Sequence, residues 1–142
     1  MTPAARRVRV DVDAPVEVVF DYLADPANRP AWQSSLRRVV EISGAPGAGQ
    51  RWTDVTWPGL RPAMATVAHE RPRRWAERGT WHGVRADAEL RFTERPGGCR
   101  VDATVMVAMP GPTAPLGPLL TRLAVLAMRS DLRRAAAILR SF

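Results

Sequence analysis

The sequence predicts an α+β fold: a curved antiparallel sheet of about seven strands, two short helices after the first strand, and a long C-terminal helix that covers the sheet. Three observations carry this prediction. Residues 7–12 alternate apolar and charged side chains, as a half-buried strand does. A series of strand-like segments between residues 36 and 109 is punctuated by Pro, Gly and other turn residues at the spacing of an antiparallel meander. From residue 119 to 140 the apolar period changes from two to that of a helix.

In the first strand Val8, Val10 and Val12 share one face, and Arg7, Arg9 and Asp11 the other. The stretch DAPVEVVFDYLADP reads as a helix with Asp13 as N-cap, Pro15 in the first turn and Glu17 near the positive end. Val18, Val19, Tyr22 and Leu23 form its apolar side, and Pro26 ends it. Residues 28–34 fit a second short helix carrying Trp32, and 36–42 a strand.

After the turn at Gly44, Pro46, Gly47 and Gly49 come strands at 50–57, 63–70, 74–81 and 85–93, then a last one at 99–109. Pro58-Gly59, Arg71-Pro72, His82-Gly83 and Pro96-Gly97-Gly98 separate them. A Pro/Gly loop, 110–118, leads into the helix. Leu119, Leu120, Leu123, Leu126, Ala127, Ala137 and Ile138 are expected on its buried side, and Arg122, Arg129, Arg133 and Arg140 on a solvated one. Such a sheet is apolar on one face and needs a cover, which this helix supplies.

A chain of 142 residues with 46% hydrophobic and 25% charged residues has the proportions of one globular domain. The net charge of +7, from 21 basic against 14 acidic residues, raises nucleic acid as a partner. Arginine is spread over every segment rather than gathered into a stripe with interleaved aromatics, which argues against it. The lone Cys99 forms no internal disulfide and points to a reducing, cytoplasmic setting. The N-terminal residues lack the apolar core of a secretion signal, and 116–128, interrupted by Arg122, is too short to span a bilayer. A protein that is not membrane-spanning, as a monomer or homodimer, is the expectation.

Residues 8–32, V-x-V-x-V-D-A-P-x-E-V-V-F-D-Y-L-A-D-P-A-N-x-P-x-W, resemble the START-like SRPBCC superfamily, in particular its bacterial polyketide cyclase/dehydrase-like branch. G-x-G-x-x-W at 47–52, E-R-P-R-R-W at 70–75, P-G-G-x-R-V at 96–101 and the closing helix extend the likeness over nearly the whole chain. The resemblance implies the helix-grip fold, a sheet wrapped around the last helix with a cavity between them. It implies a small hydrophobic ligand there, such as a lipid, sterol or polyketide, with some relatives acting as aromatases or cyclases. Tyr22, Trp32, Trp52, Trp75, Trp81, Leu90, Phe92, Val105 and Val107 would line the cavity, with Leu119, Leu123 and Leu126 as the opposite wall. No cofactor is implied.

No P-loop, G-x-G-x-x-G, H-E-x-x-H or G-x-S-x-G motif is present, so phosphate cradling, zinc hydrolysis and serine-hydrolase chemistry lack support. With His69 and His82 the only imidazoles, no metal site is expected. Cys99 has no evident base beside it. The candidate acid/base residues are Asp54, His69 and Glu77, each conditional on facing the cavity. If Trp52 points inward, alternation takes Asp54 and Thr56 with it, and if Trp75 does, Glu77, Gly79 and Trp81 follow. A carboxyl there would have a raised pKa and serve as a general acid or base.

The cost of burying a carboxylate favours the opposite register, with Asp54 and Glu77 solvated against neighbouring arginines. His69 is more simply a satisfied polar group near a strand end. The five tryptophans serve either as flat walls for a planar ligand or as ordinary core. Three functions follow: a hydrophobic-ligand binder as the leading reading, a polyketide aromatase/cyclase or dehydratase, or a protein-interaction domain of co-chaperone type.

Overall fold

A computed structural model describes residues 6–142; residues 1–5, part of the N-terminal stretch read above, lie outside the described region. The elements are β1 (Arg6–Val12), α1 (Val16–Ala24), a 3₁₀ turn (Pro26–Asn28), α2 (Arg29–Trp32), β2 (Leu36–Ser43), β3 (Arg51–Thr56) and β4 (Ala63–Glu70). They continue with β5 (Arg74–Trp81), β6 (Val84–Arg95), β7 (Gly98–Ala108), a 3₁₀ segment (Gly111–Leu116) and α3 (Gly117–Leu139). The order and type of elements are those predicted, with boundaries shifted by a residue or two. Asp13 is not the N-cap of α1; that place is taken by Pro15 without any side-chain bond, and α1 starts at Val16, two residues after Ala14 enters the core.

The seven strands form one antiparallel sheet in the order β1-β7-β6-β5-β4-β3-β2. From β1 at one edge the chain crosses to the other edge through α1 and α2, then returns as a meander until β7 pairs with β1. Partners across antiparallel strands point to the same face, so the register defines the inner rows. One row runs His69, Trp75, Leu90, Ala103 and Val8; the next holds Thr66, Glu77, Ala88 and Val105; the third, Met64, Gly79, Ala86 and Val107. Val10, Val12, Phe92, Cys99 and Val101 continue this apolar face at the other end, where α1 packs with Val19, Phe20 and Leu23.

β2 is irregular, with pairing shifts between Leu36 and Arg38 and between Val40 and Ser43, and Glu41 has a φ of 58°. At the opposite edge Gly98 opens β7 where a Cβ would collide with the Val12 carbonyl, so only glycine lets the strands meet there.

α3 lies against β1 and β7 but shows them a different side from the one expected. Gly117, Thr121, Val125, Leu132, Ala135 and Leu139 are buried, while Leu119, Leu123 and Leu126 are 55%, 54% and 58% exposed. Close approach decides this orientation. A Cβ on Gly117 would come within 3.0 Å of the Val107 carbonyl oxygen, leaving no room for leucine. Thr121 Oγ1 accepts the Val107 N–H at 3.0 Å and lies 3.4 Å from the Val107 carbonyl, so its side chain meets the main chain of β7 directly. Ser34 anchors the later half of α3, its N–H and hydroxyl donating to buried Asp131 at 3.2 and 3.1 Å.

This orientation has a direct test in unfolding equilibria. Leu132→Ala, which empties a fully buried site, is expected to cost about 2–5 kcal/mol. Leu123→Ala on the exposed side is expected to change stability by no more than about 0.5 kcal/mol. Equal losses from the two would contradict the orientation.

Candidate functional site

The interior carries a charged cluster whose cation the sequence did not single out. Arg29 is 2% exposed, with Asp54 at 3% and Glu77 at 6%. Its placement begins with a stiff turn. Asp25 accepts the Ala27 N–H at 3.0 Å, Asn28 Nδ2 donates to the Tyr22 carbonyl at 3.1 Å, and Pro26 and Pro30 fix two backbone angles. α2 then has only four residues, between buried Arg29 and Trp32.

The guanidinium grips Asp54 in two places, Nε to Oδ1 at 3.2 Å and Nη2 to Oδ2 at 2.8 Å. Trp52 Nε1 also donates to Asp54 Oδ1, at 2.9 Å, and the guanidinium lies 5.1 Å from the centre of the Trp52 ring. Trp52 in turn stacks on Trp75, with centroids 6.5 Å apart.

Glu77 receives less. Arg29 Nη1 donates to its Oε1 at 3.2 Å; Oε2 is 3.0 Å from Nη2 but off the N–H direction, so it has ion-pair contact without a hydrogen bond. Burial therefore outweighs the attraction of Arg29, and the Glu77 carboxyl is held above the ordinary carboxylate range. Burial alone would lower the Arg29 pKa, but Glu77 and Asp54 more than offset it and keep the side chain charged.

Trp52, Asp54, Trp75 and Glu77 thus take the inward register, and the expectation that both carboxylates are solvated is corrected. The desolvation cost on which it rested is met by Arg29, which arrives from α2 rather than from a neighbouring strand. No feature of P-A-N-R-P-A-W separates Arg29 from the other arginines; the available signal was the need of two inward carboxylates for a cation.

His69 also faces inward, edge-on to Phe20 with centroids 5.1 Å apart, yet its row puts it beyond Trp75 from Glu77. Its Nδ1 is buried without a partner, so it is not the satisfied polar group expected. It borders a groove of about 350 Å³ with Asp21, Pro26, Gln50 and Arg71, away from the Arg29 cluster.

Among the expected lining residues, Trp32, Leu90, Phe92 and Val105 are buried in the core and Val107 is half-buried. Tyr22 is half-buried beside Phe142, and Trp81 is 37% exposed at a strand end. Leu119, Leu123 and Leu126 do not form an opposite wall; the residues of α3 that flank its buried side are Leu120, Ala124 and Met128. Burial pushes the Cys99 thiol up to about 11, which leaves it a poor nucleophile.

The inner face is closed around Trp52, Trp75 and Leu90 and opens along the rows beyond Glu77. Met64, Ala86, Ala88 and Val107 are each half-buried although they lie on the inner face of the sheet. A groove of about 280 Å³ between the end of β7 and the start of α3, lined by Val107, Met109, Gly117 and Thr121 among others, adjoins that open end. Thr66 Oγ1, Trp75 Nε1 and Glu77 Oε2 are buried without hydrogen-bond partners on adjoining inner rows. The arrangement therefore combines an apolar surface, unused polar atoms and a carboxyl with a raised pKa.

Residues 4–141 match the family described as polyketide cyclase / dehydrase and lipid transport, and the chain belongs to that family. Three solved structures are similar in fold. TTHA0849 from Thermus thermophilus has 18% identity and a TM-score of 0.76, with 97% of this chain and 98% of that one covered. Ara h 8.0201 has 11% identity and a TM-score of 0.78, with 98% and 99% covered. The di-domain ARO/CYC StfQ of the steffimycin biosynthetic pathway has 16% identity and a TM-score of 0.75 over 94% of this chain and 49% of its own length. The fold is the helix grip, as the sequence resemblance implied. No curated protein matches the chain.

The cluster makes two predictions. Arg29→Met leaves two buried carboxylates without their cation and is expected to cost about 3–5 kcal/mol in urea unfolding. Adding Asp54→Leu and Glu77→Leu to Arg29→Met should recover most of that loss, which a purely steric defect would not.

The second concerns pH. Folding raises the Glu77 pKa above its ordinary 4.5, so the folded chain holds this proton more tightly than the unfolded one. Its contribution is fully present below the unfolded pKa and is lost as pH rises through the folded pKa. Wild-type stability measured against that of Glu77→Gln should therefore fall as pH climbs above 4.5; a rise would contradict the assignment.

Proposed function

We propose that this chain binds a small, mostly apolar molecule, aromatic or polyketide-like, between the open end of the inner sheet face and α3. Its apolar body would lie on Ala86, Ala88, Met64 and Val107 beneath Leu120, Ala124 and Met128. A polar group would turn toward Thr66, Trp75 and Glu77. The observation that carries this reading is the coincidence of a half-open apolar face with three buried polar atoms that lack hydrogen-bond partners at its closed end. Membership of a family with lipid transport in its description supports the same class of ligand. Trp52 then acts behind the site, holding Asp54, while Trp75 meets the ligand through its Nε1 rather than as a bare stacking wall.

Titration calorimetry with naphthol, a planar apolar ring with one hydroxyl, tests the reading. Binding to the full chain is expected, with affinity reduced at least about tenfold by Ala88→Trp, which fills the open face, and unchanged by Leu123→Ala. No heat of binding and no thermal stabilisation by naphthol, or affinity indifferent to Ala88→Trp, would overturn it.

The raised pKa of Glu77 favours a second reading as a cyclase. Glu77 would remove a proton from a methylene between two carbonyls of a poly-β-keto chain. The resulting enolate carbon bonds to a ketone carbon, and the alkoxide formed there takes the proton back; loss of water can follow. Glu77→Gln is expected to lower kcat on a poly-β-keto thioester by at least about a hundredfold with naphthol affinity retained. Turnover that survives replacement of Asp54, His69 and Glu77 together would rule the chemistry out.

A further inference from the structure

The net charge of +7 is unevenly placed once the chain is folded. Over much of the sheet, arginines are matched by acids: Arg9 with Asp102, Arg74 with Glu70 and Glu89, Arg78 with Asp87, and Arg100 with Asp11. α3 differs. From residue 110 to the last residue the only acid is Asp131, which is buried and held by Ser34. Arg122, Arg129 and Arg133 are exposed and enter none of the described ion pairs.

Beside these arginines runs the apolar stripe of α3. Leu119, Leu123 and Leu126 recur at helical spacing and are each more than half exposed. Leu116, 47% exposed, extends the stripe at the helix start. An exposed leucine ridge with arginines along its flank and no exposed acid on the helix itself has the chemistry of a helix lying in the headgroup layer of an anionic bilayer. No helix among the described residues is long and apolar enough to cross one, so contact would be at the surface.

We propose that the outer face of the first half of α3 docks on anionic lipid surfaces, with Leu119, Leu123 and Leu126 entering the acyl boundary and Arg122 and Arg129 meeting the headgroup charge. A second copy is disfavoured as the occupant. Pairing two such faces brings Arg122 and Arg129 of both copies together with no acid to receive them. Nucleic acid would use the arginines but leave the leucine ridge without a partner. Docking does not depend on the ligand reading above, since the residues lie on the side of α3 away from the sheet.

Flotation of the full chain with phosphatidylcholine vesicles, plain or containing about 30% phosphatidylglycerol, tests the proposal. Binding is expected to the anionic vesicles and to weaken with added salt. Leu123→Glu/Leu126→Glu and Arg122→Glu/Arg129→Glu should each reduce it at least about tenfold. The control Arg38→Glu/Arg51→Glu, with the same change in charge on the far side of the sheet, should stay within about twofold. Thermal melts matching wild type would establish that the variants remain folded, and a variant that fails this check is replaced by the milder Leu123→Ser/Leu126→Ser. Equal binding to neutral vesicles, or equal loss in the control, overturns the proposal. So does a vesicle-independent dimer abolished by Leu123→Glu, or retention of duplex DNA in place of vesicles.

Discussion

A guanidinium removed from water has to find carboxylates, and Arg29 finds them on two different strands. That requirement links the short crossover between β1 and β2 to β3 through Asp54 and to β5 through Glu77. α2, with four residues, has little intrinsic tendency to stay where it is. Its position is set by the buried ion cluster, the buried Trp32 and the proline-stiffened turn before it. From α2 the linkage passes through Ser34 to Asp131, so the cation that holds the crossover also helps hold the covering helix. Replacing such a cluster by well-packed apolar residues often costs nothing in stability. What it supplies is a unique arrangement and a carboxyl kept near a charge it only half shares.

The covering helix has two unlike sides because backbone approach, rather than hydrophobicity, selects the one turned inward. Gly117 and Thr121 meet β7 at distances that leucine could not tolerate, and Thr121 takes up the main-chain groups of Val107. Leu119, Leu123 and Leu126 are left outside. The same residues therefore leave open the sheet face near Ala86 and Ala88 and create the exposed ridge beside Arg122 and Arg129.

Much of the fold was legible in the sequence because it depends on local patterns. The valines of β1, the Pro/Gly turns of the meander and the change of period at α3 each report a nearby constraint. The side of α3 that is buried was not legible, since counting apolar residues favours the leucine stripe and carries no information about how near a strand must come. For the site, alternation tied Asp54 to Trp52 and Glu77 to Trp75 correctly. The choice of face failed because the single-residue cost of burial was weighed without a distant cation. Arg29 lies 25 residues from Asp54 and 48 from Glu77, a separation that no local pattern encodes. His69 is both inward and unsatisfied, edge-on to Phe20 of α1, a neighbour that no local pattern around residue 69 reveals.

The irregularity of β2 matters beyond this chain's own packing. Among the described residues β2 ends the sheet with no strand on its outer side, and a straight run there would offer a free ladder of main-chain donors and acceptors to any other extended chain. Two breaks in pairing, a left-handed residue at Glu41 and exposed charge at Arg37 and Arg38 interrupt that ladder every few residues. The feature that makes β2 look poorly formed as a strand is thus a guard against edge-to-edge aggregation, and straightening it would exchange regularity for a sticky border.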